Sequence, residues 1–123
     1  MQQVASTIKS FTSLKAWQES HRLVLNIYKT TKQFPSEELF GLTSQIRRAA
    51  VSITSNIAEG FNRRSPKDKI RFYDMAQASA AELQNQLLIA RDVGYISDAD
   101  FLSLANNSVT AHKIIGGLIR SIK

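Results

Sequence analysis

The chain has 123 residues, no cysteine and a formal net charge of +6. That length fits one domain with a single core, spanning residues 1–123. The missing thiols exclude disulfides, thiolate metal sites and cysteine nucleophiles, and suit a reducing cytoplasm.

Residues 1–13 are expected to form a loosely ordered N-terminal segment. Met1 to Lys9 lacks the apolar stretch of a secretory signal, and no run approaches the ~20 apolar residues of a membrane span, so a soluble intracellular protein is expected. The first helix is predicted over 14–34, ending where Pro35 disfavours helical geometry in the residue before it. Trp17, Ser20, Val24, Ile27, Thr31 and Phe34 form its inward face, with Lys15, Arg22 and Lys29 opposite at seven-residue steps. Those three cations span about 21 Å of helix, diluted by Glu19 and Asn26.

Ser36 is expected to cap a short turn through Phe40. Gly41 then leads into a second helix over 41–62. Leu42, Ile46, Ala49, Ala50, Ile53 and Ile57 recur at three- and four-residue steps and make its core face. The opposite side carries Ser44, Val51, Ser55, Ala58 and Asn62, small or weakly polar residues where a solvated helix ordinarily shows Lys and Glu. Small side chains permit close approach, which marks this strip as a candidate oligomer interface.

Ser65-Pro66-Lys67-Asp68 opens a third helix over 66–93, with Ser as cap, Pro at the first helical position and Asp68 completing a capping box. Tyr73, Ala76, Ala80, Leu83, Leu87, Ala90 and Gly94 form its seam, bordered by Ile70, Gln77, Ala81, Gln84 and Leu88. Gly94 supplies a left-handed stop, and Ser97 and Asp100 repeat the capping logic for a fourth helix over 98–122. Its face is Phe101, Leu104, Ala105, Ser108, His112, Ile115, Ile119 and Ile122. No segment alternates with period two, so the expected fold is an all-α, antiparallel up-down-up-down four-helix bundle.

Reaction chemistry is absent from this pattern. His21 and His112 have no carboxylate or second histidine at metal-ligand spacing, no Glu-x-x-His motif occurs, and the glycines form no phosphate-cradling loop. The expectation is no enzyme, no cofactor and no metal. Asn56 and Glu59 read as groups that close hydrogen bonds between helices or subunits. Gly116-Gly117 reads as a weak point or close-packing site in the fourth helix.

Charge is unevenly distributed along the chain. Residues 1–72 hold 12 Lys or Arg against 5 Asp or Glu, whereas residues 73–123 hold 4 against 5. Arg63, Arg64, Lys67, Lys69 and Arg71 cluster around the second connection, and Arg47 and Arg48 add adjacent guanidiniums suited to phosphate oxygens. The candidate nucleic-acid surface is therefore Arg47, Arg48, Arg63, Arg64, Lys67 and Arg71, with Lys15, Arg22 and Lys29. Phe61 and Phe72 are expected to pack inward, so recognition would be backbone-directed and salt-sensitive.

Leu14-Lys15-Ala16-Trp17, Phe34-Pro35, Phe40-Gly41-Leu42-Thr43-Ser44-Gln45-Ile46-Arg47-Arg48-Ala49, Ser55-Asn56-Ile57-Ala58-Glu59-Gly60-Phe61, Glu82-Leu83, Gln86-Leu87 and Gly94-Tyr95-Ile96 together resemble a known family. It is the four-helix-bundle family encoded in intervening sequences of bacterial 23S ribosomal RNA genes, often labelled 23S ribosomal-type protein. One departure is Ala78-Ser79-Ala80, where the family often has Gly-Ser. The family is similar to the accessory bundle proteins of diversity-generating retroelements. Those accessory proteins form barrel-shaped homopentamers and bind nucleic acid and a reverse transcriptase, which is what that likeness implies. Two readings remain open: an oligomeric scaffold that binds RNA or DNA, and a protein-interaction bundle for a polymerase or ribosome-associated partner.

Overall fold

The computed structural model describes residues 10–123. Four long helices run in order: α1 (Lys15–Thr31), α2 (Leu42–Asn62), α3 (Pro66–Asp92) and α4 (Asp98–Ile122), with a 3₁₀ turn at Ser36–Glu38. No strand occurs among the described residues. Each helix packs on the next and α1 also packs on α4, which closes an antiparallel, up-down-up-down four-helix bundle. The first and third connections share one end, here the far end. The second connection lies at the terminal end, with residue 10 and the C-terminus. Of the segment expected to be loose, residues 1–9 lie outside the described residues. Residues 10–12 make a helical turn, and Phe11 meets Trp17 edge-on at 5.9 Å.

Local chemistry fixes the boundaries. Ser65 Oγ accepts the Asp68 N–H at 3.1 Å with Pro66 in the first turn, and Ser97 Oγ accepts the Asp100 N–H at 3.1 Å. These satisfy amide donors that the first turn of a helix leaves orphaned. Gly94 adopts φ +83°, the left-handed conformation that ends α3. At the other end of α2, the Lys69 ammonium donates to the Phe61 and Gly60 carbonyls, at 2.7 and 3.3 Å.

Two expectations at the first connection are corrected. The first helix ends at Thr31, because Gln33 and Phe34 tighten into i→i−3 bonds on Thr30 and Thr31. Phe34 is nevertheless buried and packs against Tyr95 with ring centroids 5.5 Å apart. Ser36 does not cap; it sits inside the 3₁₀ turn, preceded by Pro35. Glu38 caps α2 instead. Its Oε1 accepts the Leu42 N–H at 3.1 Å, while Oε2 accepts the Tyr95 hydroxyl at 2.8 Å. One carboxylate thereby ties the first connection to the third.

The core follows the expected stripe of α2, with Ile46, Ala49, Ala50, Ile53 and Ile57 buried. On α1, Ala16 and Leu23 are buried while Trp17 is only half-buried and stacks on His21 at 4.4 Å. On α4, Ala111 takes the buried place beside Ser108 and Ile115, and His112 is half-buried. The bordering line on α3 is only partly core: Ile70 packs against the core, but Ala81 and Leu88 are exposed, as is Gly94 at the end of the seam, and Ser79 and Gln86 are buried in their stead. The reason is the α2–α3 approach. A Cβ at Gly60 would lie 2.6 Å from Tyr73 Cε1, and Ser52 Oγ and Ser79 Oγ share a hydrogen bond of 2.8 Å. α3 is therefore rolled toward α2, which turns its Ala81–Leu88 side outward.

Gly60→Ala should lower stability by about 1–3 kcal/mol, the usual cost of overpacking a tight contact. Urea denaturation followed by helical circular dichroism measures it. A second outcome concerns pH. The Leu42 N–H first, and the Tyr95 hydroxyl second, hold the Glu38 carboxyl below its ordinary value of 4.5. That stabilisation is present above the ordinary value and is lost as pH falls through the depressed folded one. Glu38→Gln should melt below wild type at neutral pH, and the two melting curves should converge in acid.

Candidate nucleic-acid and self-association interfaces

The second connection gathers Arg63, Arg64, Lys67 and Arg71 at the terminal end. Arg63 donates to Glu59 at 3.1 Å, and its guanidinium lies 4.5 Å from the Phe72 ring centroid. Arg71 lies 4.9 Å from the same ring. Phe72 therefore engages two guanidiniums through cation–π attraction. Arg64 and Lys67 are exposed and have no ion-pair partner among the described residues. Lys67 and Arg71 border a groove with Met75 and with Asp68 and Asp74, whose carboxylates temper the cationic field locally. Phe61 and Phe72, expected inside, are half-buried and serve as platforms for Lys69 and for the two arginines.

The other named cations do not join this cluster. Arg47 donates through Nε to Thr31 Oγ1 at 2.9 Å and covers the Tyr28 ring at 4.7 Å, so it fastens α1 to α2 near the far end. Arg48 is exposed beside it. Fifteen residues separate Arg48 from Arg63, about 22 Å along one helix. Lys15, Arg22 and Lys29 are exposed on α1, with Arg22 3.8 Å from Glu19. Lys29 borders a groove against Asp100 and Leu104 of α4, which turns this stripe away from the outer face of α2.

Charge is nevertheless segregated by height. Divided at the helix midpoints, the terminal half of the described residues holds ten Lys or Arg against four Asp or Glu, and the far half five against six. The terminal half is thus net +6 and the far half net −1.

Apolar exposure follows the opposite gradient. Of the large apolar side chains left exposed among the described residues, all but Met75 lie in the far half. The most open is Phe40, 94 % exposed. It borders a groove of about 580 Å³ between α1 and α2, lined also by Tyr28, Leu39, Ser44, Arg47, Arg48, Val51, Ser52 and Ser55. The predicted strip is divided: Ser44, Val51 and Ser55 line this groove, while Ala58 and Asn62 continue beyond it along α2. Sequence reasoning identified the strip and missed the aromatic wall that Tyr28 and Phe40 give it. The available signal was Phe40 placed next to Gly41, outside any periodic stripe.

Asn56 donates to the Ser52 carbonyl and hydroxyl, at 2.9 and 3.1 Å, and so reaches α3 only through the Ser52–Ser79 bond. Glu59 pairs with Arg63, the residue that follows its own helix. Among the described residues no group of three His, Cys, Asp or Glu side chains could hold a metal ion, and no helix is long and apolar enough to cross a membrane.

No curated protein matches this chain. Among solved structures it is similar to a protein of unknown function from the S23 ribosomal protein family of Bacteroides thetaiotaomicron, at 25% identity and a TM-score of 0.79. The match covers 85% of this chain and 95% of that one. Residues 12–117, nearly the whole bundle, match the 23S rRNA-intervening sequence protein family, and the chain belongs to that family.

Proposed function

We propose that this protein is a non-enzymatic, cytoplasmic helical-bundle scaffold that self-associates and binds the backbone of RNA or DNA through its terminal end. The observation that carries the reading is the net +6 gathered in one half of the bundle, with Arg64 and Lys67 lacking an ion-pair partner among the described residues and Arg63 and Arg71 both engaged by the Phe72 ring. Clustered cations gain by neutralising phosphates and releasing counterions. Lys15 stands at the same end of the bundle but outside this cluster; Arg22, near the middle of α1, and Arg47, Arg48 and Lys29 stand apart from it. Self-association is supported by the outward strip of Ser44, Val51, Ser55, Ala58 and Asn62, and a pentameric ring is the assembly that the family resemblance implies. The apolar groove beside Phe40 favours a second reading, a docking scaffold for a polymerase or ribosome-associated protein.

Binding to unrelated RNAs and DNAs, titrated at several salt concentrations, tests the first reading. The affinity should show little sequence preference and fall steeply with salt, and each lost phosphate contact should reduce the log-log slope by about 0.7 to 0.9. Arg63→Glu with Arg64→Glu should weaken binding with little change in melting temperature, because exposed charges contribute little to folding. If wild type binds no nucleic acid at ~50 mM salt, the docking reading replaces this one. Ala58→Arg should reduce the assembled mass by setting an unpaired charge in a close contact; sedimentation measures it.

A further inference from the structure

With Phe61 and Phe72 packed inside the bundle, the second connection would have nothing to offer a nucleic acid but charge. Both rings are instead half-buried at the surface, each beneath a cation. The covers differ in kind. Lys69 lies 5.5 Å from the Phe61 centroid, but its ammonium has no plane and donates to the Gly60 and Phe61 carbonyls. Over Phe72 the covers are the planar, weakly hydrated guanidiniums of Arg63 and Arg71, at 4.5 and 4.9 Å from the centroid. Both arginines are exposed. Arg63 is held from a second side as well, since it donates to Glu59 at 3.1 Å. Phe72 is fixed in turn by the α2–α3 approach, its Cβ only 3.1 Å from where a Cβ on Gly60 would lie. The other arginines that cover rings, Arg47 on Tyr28 and Arg91 on Phe101, lie in the far half, away from the cationic end.

We infer that an unpaired base stacks on a guanidinium backed by Phe72, so that single strands are the preferred ligand of the nucleic-acid surface proposed above, on which this inference rests. Guanidinium planes and aromatic rings are the two kinds of surface on which proteins stack splayed-out bases, and here one lies on the other. An exposed guanidinium with a ring on one side keeps its other side open. In a duplex the bases already stack on one another and present only their edges, so the platform serves a strand without a partner. Charge alone predicts the opposite order. Duplex DNA carries the denser row of phosphates, and a surface that read only charge would favour it at low salt. Arg64 and Lys67, exposed and without an ion-pair partner among the described residues, supply phosphate contacts beside the platform. Every base has a π-face, so strand choice arises here without sequence choice.

The stack touches the base and not the sugar, so DNA probes of equal length are sufficient: oligo(dA), an abasic strand with the same number of phosphates, and the oligo(dA)·oligo(dT) duplex. By fluorescence anisotropy at one salt concentration, oligo(dA) should bind about five- to a hundred-fold more tightly than either of the others, the range that one stacked base provides. Arg63→Lys with Arg71→Lys keeps both charges and removes both planes, and the preference for oligo(dA) over the abasic strand should disappear. Phe72→Leu should reduce the same ratio by removing the backing ring. Wild type that binds none of the probes at ~50 mM salt overturns nucleic-acid binding itself. An abasic strand or a duplex bound as tightly as oligo(dA), or a preference that survives the exchange to lysine, overturns the platform and leaves backbone binding standing. Circular dichroism checks that Phe72→Leu folds; where it does not, the exposed lysine pair decides.

Discussion

How closely α2 can approach α3 sets most of what this bundle displays. Gly60 has no room for a methyl group beside Tyr73, and the two hydroxyls of Ser52 and Ser79 meet directly across the interface. Ala49, Ala50, Ala76 and Ala80 are buried on the same two helices. Small side chains let the backbones close up, and dispersion gains follow from the number of atoms brought within contact. The roll that this closeness imposes on α3 buries Ser79 and Gln86 and turns Leu88 to solvent. An apolar residue is thereby exposed by the packing of its own helix, not by any local preference.

Each end of the bundle is then locked by one charged side chain reaching backbone. At the far end Glu38 accepts from Leu42 and Tyr95; at the terminal end Lys69 donates to the last carbonyls of α2. Both satisfy helix-end groups that would otherwise depend on water. Arg47 is engaged too, but by side chains: it donates to Thr31 Oγ1 and covers the Tyr28 ring. These three charges answer to the fold, and counting them toward a ligand surface would overstate it. Arg64 and Lys67 carry no such duty.

The helices were legible in the chain because their stripes are long and their caps are explicit. Ser65-Pro66 and Ser97 gave their boundaries through a hydrogen bond that depends on three residues only. The core side of α3 was not legible beyond its seam, since the choice between the Ser79–Gln86 side and the Ala81–Leu88 side is made by α2. Ser36 misled for a related reason: it has the chemistry of a cap, but Glu38 holds the geometry through a partner 57 residues away. Among the candidate site residues, Arg63, Arg64, Lys67 and Arg71 are neighbours in sequence and in space. Arg47, Arg48 and Lys29 needed helix height and rotation to be separated from them, and Phe40 lay outside every periodic pattern.

Height also decides what an assembly of this bundle would present. A two-fold contact between antiparallel copies would set the cationic terminal half of one beside the far half of the other and cancel much of the field. A closed ring of parallel copies would instead point every terminal half the same way. Repulsion among those ends is limited, because charges separated by more than about 8–10 Å are largely screened at physiological salt. A long polyanion laid across them would meet the cations of several copies at once, and the gain from each additional copy would come at an effective concentration set by the ring and not by the solution. If the proposed binding and the proposed self-association both hold, the weak attraction of one bundle for phosphate would be strengthened by its neighbours, so that disrupting assembly would weaken binding with every cation still in place.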